Sequence, residues 1–226
     1  KPRGTFLKTE NGVEQFQVRG CNGTGYISVN NPILYFGNSM KSFLKLQGIE
    51  VGGNVKLGNV PKNAQLIYEH KSQKISSLLE SLNSFSNNFM TELLVLHTVA
   101  KMTLSPGSFE LVKEQLQKYV DTISPGTVII ENGSGLSPNN KIPCKFLTTL
   151  LSRIQANPLL FSSLYLSLAR PSKDGTLDSR PELKNLQISA KTGSFMNPIS
   201  TSSFSGYVKS AKGNQIAFCI IDNKFK

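Results

Sequence analysis

Apolar and polar residues alternate around glycines over residues 1–30, most clearly in "VEQFQVRG", and the alternation predicts one or two strands. The pattern then switches to the helical period. In "NNPILYFGNSMKSFLKLQGIEV" Asn31 reads as the cap, Pro32 as the first helical residue and Gly48 as the stop. "AQLIYEH" (64–70) reads as a short strand. In "SQKISSLLESLN" (72–83) Ile75, Leu78, Leu79 and Leu82 recur at helical spacing, and Ser72 is the expected cap. A polar break, "SFSNNF", separates this helix from "FMTELLVLHTVA" (89–100). That segment is apolar on nearly every side and is expected to be a buried central helix.

"SFELVKEQLQKYV" (108–120) is amphipathic and predicts a more exposed helix. "TVII" (127–130) reads as a short strand leading into a Gly/Ser/Asn loop, "ENGSGLSPNN". Two helices follow, "PCKFLTTLLSRI" and "PLLFSSLYLSL", the second opened by Asn157 and Pro158. The tail reads as three consecutive strands, "LQISAKTGSF", "SFSGYVKS" and "NQIAFCIID", with "AKGN" as the last turn. Strands, a cluster of helices and an antiparallel meander are an α+β order, with helices packed on an antiparallel sheet.

Composition narrows the function classes. No apolar run reaches the ~18 residues of a membrane span; the longest, around Met90 to Ala100, contains Glu92 and His97. Net charge is +11, from 25 Lys and Arg against 14 Asp and Glu. Such a balance suits polyanionic surroundings, nucleic acid or cell-wall polymer alike. The charge is spread along the chain without a basic block, so nucleic acid is not the expected partner. Cys21, Cys144 and Cys219 form no CxxC pair, and His70 and His97 lie far from them in sequence, so a zinc site is not expected. With three cysteines at least one thiol is unpaired within the chain. Cys219, inside "IAFCII", is expected to be a core residue. His97 reads as a packed or rim histidine. Glu92 is expected to satisfy nearby donors, from a first-turn position that suits the helix dipole.

Three short motifs carry candidate chemistry. Ser86-Asn87-Asn88 sits between two helices, "NGSGLS" spans Asn132 to Ser137, and Lys191-Thr192-Gly193 lies on a strand. Each is weak alone. Ser86 and Asn88 also suit a helix end followed by a cap. Their order is that of penicillin-recognising serine enzymes. The chain resembles the penicillin-binding protein 4 type of D-alanyl-D-alanine carboxypeptidase/endopeptidase, the S13 peptidase family. That family carries Ser-Asp-Asn before an Ala-Glu-x-Leu helix, where this chain has "SNNFMTELL". It carries Asp-Gly-Ser-Gly-Leu-Ser where this chain has "NGSGLS", then Asp-Gly-Thr-Leu, an Arg and Ala-Lys-Thr-Gly, matched by "DGTLDSR" and "SAKTGSF". Asn87 and Asn132 replace aspartates of the pattern, and the second replacement removes a charge, so an ionic role there is not carried over. "NGSGLS" is read as loop-shaping.

The resemblance implies a β-lactamase/transpeptidase-like fold and a serine D,D-peptidase that works through an acyl-enzyme on peptidoglycan peptides. It implies β-lactam antibiotics as further ligands, no cofactor, and a periplasmic or cell-surface setting. Lys191 is then expected to attract the substrate carboxylate and to help move a proton to Ser86, which relays it to the leaving amine, with Asn88 orienting base and substrate. Thr192 is expected to donate to the same carboxylate, Gly193 to let the ligand approach the strand, and the Ser194 amide to serve as an oxyanion donor. Residues 1–30 are read as remnant strands leading from a preceding or inserted domain, and 31–226 as the C-terminal part of the transpeptidase-like domain.

Such enzymes also need a Ser-x-x-Lys nucleophile segment at a helix start. Only Ser42-Phe43-Leu44-Lys45 fits. At roughly 100° per residue, Ile33, Phe36, Met40, Phe43 and Leu44 share one side of that helix, while Ser42 and Lys45 fall on the opposite, wet face. Ser42 is also mid-helix. The nucleophile is therefore expected on an N-terminal segment outside these residues; the alternative is an inactive homologue that binds cell-wall peptides.

Overall fold

The computed structural model describes residues 3–10, 13–19, 29–173, 175–196 and 200–224. The chain divides into two compact units, residues 1–70 and 71–226. In the first, strands β1 (Arg3–Glu10) and β2 (Val13–Arg19) pair antiparallel, with a register shift between Phe6 and Lys8. Helix α1 (Pro32–Leu46) follows. The Asn31 side chain caps it by accepting from the Leu34 amide at 3.0 Å, and Gly48, at φ +79°, ends it in the left-handed conformation that glycine adopts most easily.

The faces of α1 depart from expectation. Ser42 and Lys45 are exposed as predicted, but Ile33, Phe36, Met40 and Phe43 are exposed too. Within this unit α1 meets the 50–55 segment through Gly37, which abuts Val55, and through Lys41, which donates to the Gly53 carbonyl. That contact lies beside its polar face rather than on the apolar one. The predicted strand at 64–70 is absent: Leu66, Ile67 and Tyr68 are exposed and pair with no strand. A short apolar run becomes a strand only when a neighbour takes up its backbone groups.

The second unit contains helices α2 (Ile75–Phe85), α3 (Asn88–Thr103), α4 (Phe109–Asp121), α5 (Cys144–Gln155) and α6 (Pro158–Ser167). They are followed by strands β3 (Ile188–Phe195), β4 (Ser200–Lys209) and β5 (Gln215–Lys224), antiparallel in the order β3-β4-β5. Two 3-10 turns, Gly175–Leu177 and Pro181–Leu183, precede the sheet. Helix α2 starts two residues later than expected. Lys74 stands at its N-cap, and the Ser72 hydroxyl bonds the Gln73 carbonyl instead of capping. The "TVII" segment contributes one bridge, Ile129 with Lys141, rather than a strand. No helix among the described residues is long and apolar enough to cross a membrane.

Helix α3 is not the buried centre its composition predicts. Val99 is its one buried residue, while Phe89, Leu93 and Met102 are exposed. A helix that is apolar all round needs neighbours all round, and within this unit α4 and α2 pack on part of its circumference. Glu92 is the fifth helical residue, beyond the first turn, so the dipole argument does not apply to it.

Burial concentrates between helices and sheet. One cluster joins Ala169, Leu177, Ile188 and Ala190, with Phe204 and Phe218 against it; a second joins Val120, Val128 and Phe146. Tyr207, fully buried on β4, packs edge-on against Phe161 with ring centroids 5.1 Å apart. Its hydroxyl donates to the Leu151 carbonyl of α5 at 2.8 Å, and burial pushes its pKa up to about 12. The expectation of a core Cys219 is corrected: it is half-buried and forms a disulfide with Cys144, tying the start of α5 to β5 across a Cα–Cα distance of 5.3 Å. Cys21 lies outside the described residues.

Tyr207→Phe keeps the ring and removes the bond, so a stability loss of about 1 kcal/mol is expected in chemical denaturation. The folded phenol holds its proton to a higher pH than an unfolded one. Its contribution is therefore complete below pH 10 and is lost as pH rises toward about 12. The phenylalanine variant lacks that part of the alkaline decline.

Candidate active site

The break between α2 and α3 is built by two residues with different duties. Ser86 ends α2 in the left-handed region (φ 57°, ψ 53°), and its amide donates to the Leu82 carbonyl. This conformation is uncommon for a residue with a Cβ and costs on the order of 1 kcal/mol. Asn87 caps α3, its side-chain oxygen accepting from the Met90 amide at 3.0 Å. Capping thus falls to the middle residue of the triplet. Ser86 and Asn88 both line a cavity of about 490 Å³.

Strand β3 forms another wall. Lys191, Thr192, Gly193 and Ser194 all line the same cavity, so the six residues singled out in the sequence come together. The Lys191 ammonium donates to Ser86 Oγ at 2.7 Å, across 105 residues of chain, and to the Thr192 carbonyl at 2.7 Å. Burial, which penalises the charged form, pulls the Lys191 pKa below its ordinary 10.5. Gly193 pairs with Ser203 on β4, and a Cβ at Gly193 would run into the Ser203 hydroxyl, so the absent side chain serves the sheet as well as the cavity.

The 131–140 loop closes a further side through Gly133, Ser134 and Gly135. Asn132 Oδ1 accepts from the Gly135 amide (3.2 Å) and from the Asn140 side chain (3.0 Å). Both bonds need an oxygen acceptor and neither needs a charge, so asparagine serves where the resembling pattern has aspartate. Glu92 reaches over from α3 and accepts from the Ser134 amide at 3.1 Å, the donor-satisfying part expected of it. His97 is exposed on the same helix.

Sequence reasoning missed Thr176. It lies in the 3-10 turn at 175–177, and the Thr192 hydroxyl donates to its hydroxyl at 2.9 Å. "DGTL" drew notice only as part of a resemblance. Nothing local to it announces a contact with β3.

A Ser-x-Asn break facing a Lys-Thr-Gly strand across one cavity, with helices on an antiparallel sheet, defines the class: the fold of penicillin-recognising serine enzymes. Over residues 3–226 the chain matches the model of the D-Ala-D-Ala carboxypeptidase 3 (S13) family, and it belongs to that family. It is 30% identical over 222 residues to D-alanyl-D-alanine carboxypeptidase DacB of Haemophilus influenzae, covering 90% of this chain and 44% of that protein. It is 30% identical over 214 residues to a D-alanyl-D-alanine carboxypeptidase of an Actinomadura species, covering 88% and 38%. A crystal structure of penicillin binding protein 4 from H. influenzae, complexed with a β-lactam, superposes with a TM-score of 0.73 at 28% identity, over 97% of this chain and 52% of that one. The chain thus spans about half the length of these relatives or less.

Proposed function

We propose that residues 71–226 supply the proton-transfer and carboxylate-binding parts of a serine D,D-peptidase that cleaves the D-Ala-D-Ala end, or the cross-link, of peptidoglycan peptides. The observation that carries this reading is the 2.7 Å bond from Lys191 to Ser86 Oγ. A serine hydroxyl held by a buried ammonium is a proton conduit. In the reaction a nucleophilic serine attacks the carbonyl before the last D-alanine, passing its proton to the lysine of its own Ser-x-x-Lys segment, and the C–N bond breaks. The leaving amine takes the Ser86 proton, Lys191 replaces it, and Lys191 recovers a proton from that lysine. A pKa below the ordinary lysine value makes that ammonium a readier donor. Its charge also attracts the terminal carboxylate, to which Thr192 donates a hydrogen bond. Asn88 orients the substrate amide, and Gly193 and the Ser194 amide receive the reacting carbonyl. Water then hydrolyses the acyl-enzyme. β-Lactams, which one related protein binds in its crystal structure, would acylate the same serine.

That serine is proposed to come from a Ser-x-x-Lys segment outside these 226 residues. The proposed setting is the periplasm or cell surface. The Cys144–Cys219 disulfide supports an oxidising compartment, and the net charge of +11 suits anionic wall polymer.

The test is D-alanine release from a D-Ala-D-Ala peptide by the full gene product and by this chain alone. Release by the full product only is the expected result. Silence from both, with no adduct from a labelled penicillin, would overturn the peptidase reading. Retained peptide binding in that case would establish the inactive, peptide-binding homologue. An adduct on Ser42 would relocate the nucleophile.

Ser86→Gly in the full product separates chemistry from folding. Glycine takes the left-handed backbone more easily, so stability is expected to hold or rise by up to about 1 kcal/mol. Acylation is expected to fall on the order of 100-fold as the proton conduit is lost. Unchanged acylation in a stable variant would remove Ser86 from the mechanism.

A further inference from the structure

We propose that Thr176 is a positioning residue that sets the hydroxyl of Thr192 for carboxylate recognition and so fixes the enzyme's preference for ligands with a free carboxylate. The proposal rests on the peptidase reading above. A threonine hydroxyl has one proton to donate and two lone pairs to accept with. The Thr192 proton is turned to Thr176 Oγ1, 2.9 Å away. When a carboxylate enters, that proton turns to it, from a side chain whose rotamer the contact with Thr176 has already set. Without the Thr176 hydroxyl, the Thr192 rotor is held by nothing at 176.

The turn that presents Thr176 is anchored at each of its three residues. Gly175 has φ +81°, and a Cβ there would lie 2.9 Å from the Ser84 carbonyl carbon, two residues before Ser86. Leu177, 1% exposed, sits in the core cluster with Ile188 and Ala190, next to Lys191. Between them Thr176 meets Thr192. One turn therefore touches the helix end that carries Ser86, the strand that carries Lys191, and the core beneath that strand. A hydroxyl between two such anchors has little freedom to drift from its partner.

The experiment uses the full-length protein and two peptides that differ only in ending with a carboxylate or a carboxamide. Wild type is expected to prefer the carboxylate. Thr176→Val keeps shape and removes the hydroxyl. It is expected to lower kcat/KM for the carboxylate peptide by about 10-fold or more, the scale of a hydrogen bond to a charged group, and to leave the carboxamide peptide within about twofold. Thr176→Ser, which restores a hydroxyl, is expected to recover the preference. Thr176→Ala makes the same comparison if the valine variant folds poorly, with thermal melts run alongside. In a Thr192→Val background, Thr176→Val is expected to add nothing. Equal losses on both peptides, or no loss, would overturn the role of Thr176 while leaving the peptidase reading in place. A wild-type enzyme that cleaves both peptides alike would overturn the carboxylate role of Thr192 and Thr176 and leave the peptidase reading in place; one that cleaves neither would count against both.

Discussion

Replacing Lys191 by alanine in the full-length protein is expected to slow acylation by a labelled penicillin by about 100- to 1000-fold, the scale for losing one pre-aimed electrostatic donor. The same side chain meets Ser86 Oγ and lines the cavity, so one substitution removes both the proposed proton source and the proposed attraction for the carboxylate. Folding should tolerate it, because a buried cation costs desolvation that a neutral side chain does not. Lys191→Met, closer in shape, should behave alike. An acylation rate within a few-fold of wild type would remove Lys191 from the chemistry.

The pH dependence supplies a second readout of opposite sign. Burial lowers the Lys191 pKa in the folded protein below 10.5, the ordinary value expected in the unfolded chain. In the window between the two, the unfolded chain holds more protons, so folding stability rises with pH. Acylation that needs the ammonium falls over the same window. The difference between wild type and Lys191→Met isolates both trends from the Tyr207 effect, which lowers stability above pH 10.

The second large effect is on stability. Opening the Cys144–Cys219 disulfide, whose partners lie 75 residues apart, releases a long loop in the unfolded chain; the chain-entropy model puts the loss at about 4.5 kcal/mol. For a domain of this size that corresponds to a melting temperature lower by about 9–18 °C. The Cys144→Ser/Cys219→Ser variant of the full-length protein should show that drop by calorimetry, and reducing agent should bring wild type to the same point. A melting temperature that neither treatment moves would deny the bond a stabilising part.

Much of the fold was legible in the chain because its signals are local. Asn31 with Pro32, Asn157 with Pro158, and Gly48 mark helix ends by the backbone groups they satisfy or the conformations they allow. The three-stranded meander shows in alternation and in the "AKGN" turn. The misreadings share one cause. Whether the 64–70 run pairs, whether α3 is covered, and which side of α1 meets the 50–55 segment all depend on neighbours distant in sequence.

The site divides the same way. Sequence alone determined its members, since the motifs containing Ser86, Asn88 and Lys191-Thr192-Gly193 stand in a recognisable order. Their side-chain types suit the roles proposed for them: proton transfer, carboxylate binding and close backbone approach. Only the tertiary structure decided that Ser86 rather than Asn87 faces the cavity, and that Lys191 reaches Ser86. It alone joined Thr176 to Thr192 and Cys144 to Cys219. Each of these is a contact between side chains 16 to 105 residues apart or a choice between adjacent residues at a helix break. Local propensity does not reach so far. Such contacts form when the packing of helices on the sheet brings the two positions within bonding distance.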